Sequence, residues 1–161
     1  MITWFFSWRD KKKQNNVIWY TVREEITSNY SLAKRWLDQV QKELKIIQRG
    51  EDYYLADIIP FFQTGFFNKV MFSLPKKIKN DPVLFNDLGV ISQTFEQLNE
   101  IIQNIKEYKG PVAITNEMKM IEMFDNILKR NLLKVIELID EHYDNIIIKD
   151  KEIKNELKKI S

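Results

Sequence analysis

The side chains best suited to chemistry are few in this chain, and their spacing does not match a reactive site. His142 is the only histidine, and it lies in a charged run from Asp140 to Asp144. A di-metal site in a helical bundle needs Glu-x-x-His pairs, but Ile139 stands three positions before His142. No nucleophile elbow is present either. We therefore interpret His142 as a surface or boundary residue and not as a catalytic one.

The acidic residues and the glycines do not supply an alternative site. Adjacent carboxylates occur at Glu24-Glu25, Glu51-Asp52 and Asp140-Glu141, but neighbouring residues on a helix point in different directions. The four glycines are isolated, so a glycine-rich phosphate loop is lacking. The chain has no cysteine, which excludes disulfides and thiolate chemistry. The sequence predicts a non-enzymatic protein without catalytic, metal-binding or cofactor-binding residues.

A short aromatic and basic tip, residues 1–13, carries the strongest functional signal. Its large apolar residues, followed at once by its basic ones, are Ile2, Trp4, Phe5, Phe6 and Trp8, then Arg9, Lys11, Lys12 and Lys13. Tryptophan flanked by lysine and arginine is typical of membrane interfaces. The apolar run is far shorter than the roughly 20 residues that span a bilayer, and its charge order reverses that of a secretory signal. We expect the tip to dock on an anionic membrane surface, on a protein partner or on its own bundle.

Charge is unevenly distributed, although the whole chain carries only +2. Residues 1–50 hold ten basic and five acidic side chains; residues 51–110 hold six and eight, and residues 111–161 nine and ten. A basic element can face phosphates or anionic lipid. Nucleic-acid binding is the weaker alternative, because footprints on nucleic acid cluster on one face and these residues are spread around a helix. We expect a cytoplasmic protein with peripheral membrane contact.

The longest helical pattern covers residues 10–49. Apolar residues recur there at the helical period, at Ile18, Val22, Ile26, Tyr30, Ala33, Leu37, Val40, Leu44 and Ile47. Gly50 stands where a left-handed cap is expected. A helix of about 40 residues is about 60 Å long, so we expect its N-terminal half to project from a small bundle. Asn29, Asn99 and Gln103 are expected as polar residues near packed faces, without an assigned role.

A phenylalanine-rich region lies between Pro60 and Pro75. Pro60 is expected in the first turn of a short helix, and Pro75 closes the region. One interpretation is a short helix wedged into the bundle and buried on several sides. The other is a homodimer contact, since exposed aromatic patches mark contact surfaces; its members would be Phe61, Phe62, Phe66 and Phe67.

Two further long helices complete the predicted fold. Asp81-Pro82 is a strong helix start, and the core residues after it follow a 3.5-residue repeat, at Leu84, Leu88, Ile91, Phe95, Leu98, Ile102 and Ile105. A last helix begins near Thr115 or Asn116; Asp150 either caps a separate helix or lies within a continuous one. We predict an all-α protein, an antiparallel bundle of three long helices plus one or two short ones over residues 14–161.

The order of these features resembles a set of uncharacterised prokaryotic helical proteins. The matching pieces are the basic stretch Arg9–Lys13, an E-I-x-x-N motif at 25–29, the Phe61–Phe67 region, Asp81-Pro82 and Leu98-Asn99. In that group an N-terminal membrane anchor precedes the basic stretch, whereas here eight residues stand in place of a full span. The resemblance implies a helical bundle at a membrane and no assigned catalytic activity.

Overall fold

The computed structural model describes the backbone of residues 2–51, 55, 58–107 and 114–160, and side chains within these ranges except those of 2–9, 114–117 and 160. The helical elements are α1 (Ile2–Gln48), α2 (Phe66–Val70), a 3₁₀ turn (Met71–Ser73), α3 (Lys76–Lys79), α4 (Pro82–Glu107), α5 (Ile114–Ile121), a π-helical segment (Glu122–Lys129) and α6 (Arg130–Ile160). The described residues contain no strand. The prediction of an all-α protein is confirmed.

Helix α1 is a single helix of 47 residues, about 70 Å long at 1.5 Å per residue. It begins at Ile2 and not near Asp10, so the backbone of the aromatic tip belongs to it. At its end the Gly50 N–H donates to the Ile47 carbonyl at 3.0 Å, and the Glu51 N–H to the Ile46 carbonyl at 3.2 Å. This is a Schellman motif, and its glycine has φ 72°. The predicted glycine cap is confirmed.

The buried face of α1 contains more than the predicted apolar series. Trp19 and Trp36 are both fully buried, although neither belongs to the predicted apolar series. Ile18, Tyr30 and Leu37 are only half-buried. The buried face of α1 is therefore rotated toward Trp19 and Trp36, relative to the face predicted from the apolar series. Two of the four tryptophans belong to the core.

Cross-chain contacts show how the long helices run relative to one another. Tyr30 of α1 donates to Asp140 of α6, and Lys12 forms an ion pair at 3.5 Å with Glu156. Rising numbers in α1 therefore meet falling numbers in α6, so the two helices run in opposite directions. None of the helices in the described part of the chain has the length and apolarity needed to cross a bilayer.

Helix α4 begins as predicted. The Leu84 N–H donates to the Asp81 carboxylate at 3.1 Å, and the Phe85 N–H to the Asp81 carbonyl at 2.9 Å. All the predicted core positions of α4 are buried, at Leu84, Leu88, Ile91, Phe95, Leu98, Ile102 and Ile105. Asp150 lies within the continuous helix α6 and begins no separate helix.

The helix predicted to start at Pro60 is wrong. Residues 60–64 are not helical, and the next helix after α1 begins at Phe66. Side chains from two long helices bond to the backbone groups of this segment, and those groups are then not available for a helix. Gly65, at φ 90°, provides the bend before α2.

Candidate functional site

Two asparagines hold the non-helical segment 60–64 in place. The Asn29 amide donates to the Gln63 carbonyl at 2.7 Å and accepts from the Gln63 N–H at 3.0 Å. The Asn99 amide makes the same pair of bonds with Phe62, at 2.9 and 2.8 Å. Each amide thus satisfies the backbone N–H and the backbone carbonyl of one residue, and these bonds give both motif asparagines a structural role.

Glu25, the glutamate of the E-I-x-x-N motif in α1, contacts the backbone at the start of α2. Burial is the main cause that raises the pKa of Glu25, and the backbone N–H of Phe66 acts in the opposite direction. Ile26, the next residue of the motif, is buried in the core. The E-I-x-x-N motif therefore holds the connection between α1 and α4.

The phenylalanines predicted for self-association divide into two groups. Phe62 and Phe67 are buried in the core of the chain itself, and the Phe62 ring lies 4.8 Å from that of Phe95. Phe66 is half-buried and Phe61 is 39% exposed, with the Lys106 ammonium 4.8 Å from the Phe61 ring centre. Self-association through Phe61 and Phe66 stays a prediction.

A buried carboxylate joins α1 to the end of α6. The Trp19 indole N–H donates to Asp150 at 2.6 Å, and the Arg23 guanidinium forms an ion pair with the same carboxylate. Asp150 is only 6% exposed, and a buried charge needs such partners. Burial first, and the Asp150 charge second, raise the pKa of Tyr20, while Arg23 lowers it. These contacts give the Asp150 carboxylate a structural role between α1 and α6.

His142 is buried and pairs with Asp87 of α4, at 2.5 Å between Nε2 and the carboxylate. The expected surface or boundary position is therefore corrected to a buried one that links α6 to α4. Within the described ranges, no three histidine or acidic side chains are grouped closely enough to hold a metal ion.

The tip residues proposed for docking fall partly outside the described side chains. Only the helical backbone is described for five of them, and their side chains are not: Trp4, Phe5, Phe6, Trp8 and Arg9. Of the remaining three, Lys11 and Lys13 are exposed. Lys12 is half-buried and pairs with Glu156.

Lysines from three helices surround one cavity next to the tip. The cavity has a volume of about 680 Å³ and lies between the start of α1, helix α3 and the last turns of α6. Among the described residues, the lysines that line it are Lys11, Lys12, Lys76, Lys77, Lys79 and Lys149, and the acidic one is Glu156. We call this lysine-lined cavity and the helix ends around it the basic end.

Several of these lysines already have partners. Lys77 lies 3.5 Å from Glu152 and 3.6 Å from Glu156, and Lys149 lies 3.3 Å from Asp81. Lys79 donates to the Phe72 carbonyl at 3.0 Å. In the part of the chain that the structure describes, the cavity and its immediate ion pairs thus combine six lysines with three carboxylates, which leaves an excess of positive charge.

Only the α1 part of this cluster is evident from the charge distribution along the sequence. Lys76, Lys77 and Lys79 follow Pro75 in a short lysine-rich run, which was the one local signal available for them. Lys149 belongs to a region whose overall charge is slightly acidic and so carried no signal. Comparisons with protein-family models, with curated proteins and with solved structures found no match to this chain, so the geometry of the basic end is the guide to its function.

Proposed function

We propose that this chain is a non-enzymatic interaction module that docks on an anionic membrane surface through its basic end and its aromatic tip. In this proposal the described helices form an antiparallel bundle of three long helices with short helices between the first and second. One observation carries the proposal: lysines of α1, α3 and α6 meet around one cavity beside the start of α1. The resemblance to helical proteins with an N-terminal anchor favours the same end.

Electrostatic attraction to an anionic leaflet depends on how many lysines share this end. A lysine close to an anionic leaflet contributes about 1 kcal/mol of attraction, so several that face the same way bind measurably. Exposed lysines that extend the basic end beyond the cavity are Lys13, Lys151, Lys154, Lys158 and Lys159. The α6 members lie on both sides of Glu156, which contacts Lys12 and Lys77, and therefore belong to the same end.

An exposed aromatic side chain supports the same orientation. Phe72 is 77% exposed, and its carbonyl accepts a hydrogen bond from Lys79 of the cavity. Aromatic rings among basic residues insert at the headgroup level of a bilayer. In our proposal Phe72 and the tryptophans of the tip insert while the lysines contact the headgroups.

Vesicle flotation tests the proposal. Wild type should float with vesicles that contain phosphatidylserine and not with pure phosphatidylcholine, and added salt should weaken the binding because it screens exposed charges. Lys11→Glu with Lys13→Glu should reduce flotation severalfold. The matched control, Lys45→Glu with Arg49→Glu, reverses two exposed charges at the other end of α1 and should float like wild type.

Deletion of residues 2–8 and the Phe72→Ser variant should each reduce flotation at physiological salt. Equal flotation of both charge-reversal variants would contradict docking through the basic end. Retention of duplex DNA together with no flotation on anionic vesicles would instead favour nucleic-acid binding.

A further inference from the structure

The outward face of α6 carries an acidic half and a basic half, with two isoleucines between them. The acidic triplet is Glu137, Glu141 and Asp144, and the basic triplet is Lys151, Lys154 and Lys158; all of these side chains are exposed. Ile147 is 37% exposed and Ile148 is 56% exposed. Steps of three and four residues keep side chains on one side of a helix, so the triplets and the isoleucines form one continuous stripe along α6.

Each triplet carries charge repulsion within the single chain. Its members follow one another at steps of three and four residues, and like charges at these spacings destabilise a helix. Among the described side chains, the ion pairs leave out four members of the triplets: Glu141, Asp144, Lys151 and Lys154. A partner with the opposite order of charge would neutralise this stripe.

We propose that α6 pairs in the antiparallel direction with α6 of a second copy of this chain, about a two-fold axis between Ile147 and Ile148. Asp144 then faces Lys151 of the second copy, and the isoleucines of one copy meet those of the other. The remaining members of the triplets pair in the same way, acidic with basic. A two-fold axis repeats each contact, so the charges of both copies are neutralised. A parallel pair would instead place like charges together.

A second copy matches this stripe better than other partners do. The acidic triplet repels nucleic acid and anionic lipid, and an acidic helix would match the basic triplet alone. Charges that flank the contact line of paired helices set both the choice of partner and the direction of pairing. A single exposed ion pair contributes little, so binding depends on the repeated pairs together with burial of the isoleucines at the centre. We expect a weak dimer that is sensitive to salt.

This pairing goes beyond membrane docking and does not depend on it. The basic triplet belongs to the basic end and takes part in both interactions. Antiparallel pairing also places the basic ends of the two copies at opposite ends of the dimer. The dimer and the docked chain are therefore alternative states, and a chain that docks does so as a monomer.

Sedimentation equilibrium without vesicles tests the pairing. Wild type at high micromolar concentration should be a dimer that dissociates when salt is added, because salt screens exposed charges. The double variants Glu141→Lys with Asp144→Lys and Lys151→Glu with Lys154→Glu should each raise the dissociation constant by at least about tenfold. An equimolar mixture of the two double variants should dimerise again, because every reversed charge then faces its opposite.

The matched charge control reverses two exposed basic residues at the other end of α1. Lys45→Glu with Arg49→Glu should sediment like wild type. Circular dichroism should show the same helix content for all of these variants.

Disulfide formation tests the direction and register of the pair with every charge in place. The chain has no cysteine, so Ile148→Cys places two thiols beside the two-fold axis and should form a disulfide between copies on mild oxidation. Leu133→Cys replaces another exposed apolar residue of α6, 45% exposed, and is the matched control. Its thiols lie about 40 Å apart in the antiparallel pair and should remain reduced.

Four outcomes would overturn the pairing. Wild type that stays monomeric at high micromolar concentration and low salt is the first. The second is a dimer that both double variants retain, which would favour the predicted contact through Phe61 and Phe66. A mixture of the double variants that stays monomeric is the third. Equal disulfide formation by Ile148→Cys and Leu133→Cys is the fourth, and it applies even where a charge reversal prevents folding.

Discussion

At the scale of single residues, two asparagines supply the hydrogen bonds that a neighbouring strand would otherwise give to segment 60–64. Asn29 and Asn99 face the same short segment from different helices, and each forms two hydrogen bonds with the backbone N–H and carbonyl of one residue. Trp36 adds a bond from its indole N–H to the Pro60 carbonyl at 3.0 Å. An extended segment inside a helical protein lacks ladder partners, and these side chains supply them.

The Asn29→Ala and Asn99→Ala variants should each lower the free energy of unfolding by about 1–3 kcal/mol, since each leaves a partly buried N–H and carbonyl without a partner. Urea denaturation followed by circular dichroism measures the loss. Asn104→Ala, at an exposed position of α4, is the control and should change stability by less than about 0.5 kcal/mol. A loss no larger than that of the control would contradict the clamp.

At the scale of elements, Asp81 links the start of α4 to α6. It caps α4 through the Leu84 N–H, and its second carboxylate oxygen accepts from Asn145 at 3.3 Å and pairs with Lys149 at 3.3 Å. The pKa of Asp81 lies below its usual value of 3.8. The largest cause is the hydrogen bond from the Leu84 N–H, and the second is the hydrogen bond from Asn145. One carboxylate therefore serves as helix cap and as helix–helix contact.

The lowered pKa of Asp81 predicts a pH dependence of stability. Its contribution is fully present above the unfolded value of 3.8 and is lost as pH falls through the lower folded pKa, because protonation then favours the unfolded chain. Asp81→Asn retains an oxygen for the Leu84 N–H but has no charge. The difference in unfolding free energy between wild type and Asp81→Asn should therefore be constant near neutral pH and shrink below about pH 4.

Urea denaturation from acidic to neutral pH measures this difference. Asp81→Ala also removes the cap and should be less stable than Asp81→Asn at every pH, by about 1 kcal/mol. Asn86→Ala, an exposed change on the same helix, controls for helix propensity. A difference between wild type and Asp81→Asn that grows on acidification would show that the sign is wrong.

At the scale of the whole molecule, the fold collects positive charge that is dispersed along the chain. Residues 11–13, 76–79 and 149–159 are far apart in sequence, yet Lys12 and Lys77 share the Glu156 carboxylate. The opposite direction of α1 and α6 brings the start of one to the end of the other. The basic end depends on that arrangement, which can be tested directly.

Cross-linking tests the relative direction of the two helices. The chain has no cysteine, so a Tyr30→Cys, Asp140→Cys pair provides the only thiols. These side chains contact each other in the fold, and a short bismaleimide should link them within one chain almost completely. The control pair, Tyr30→Cys with Asp125→Cys, places the second thiol about 20 Å further along the helix and should link poorly. Equal linking of both pairs would contradict the antiparallel contact.

The sequence by itself determined the helical class, the start of α4 at Asp81-Pro82, the cap at Gly50 and the buried face of α4. These features depend on residues within one or two helical turns of each other, where spacing and capping chemistry act directly. The predicted helix start at Pro60 failed because the local proline signal was outweighed by Asn29 and Asn99, which lie more than 30 positions away.

Only the tertiary structure decided the roles of Asp150, His142 and the lysines of the basic end. Asp150 had a plausible local role as a helix cap, but its carboxylate bonds to Trp19, 131 positions away. Charge counted along the chain placed the basic region in the first 50 residues alone. Packing added lysines of α3 and α6 to it and left the Asn16 amide buried beside them, because proximity in a bundle depends on helix direction and register and not on distance along the chain.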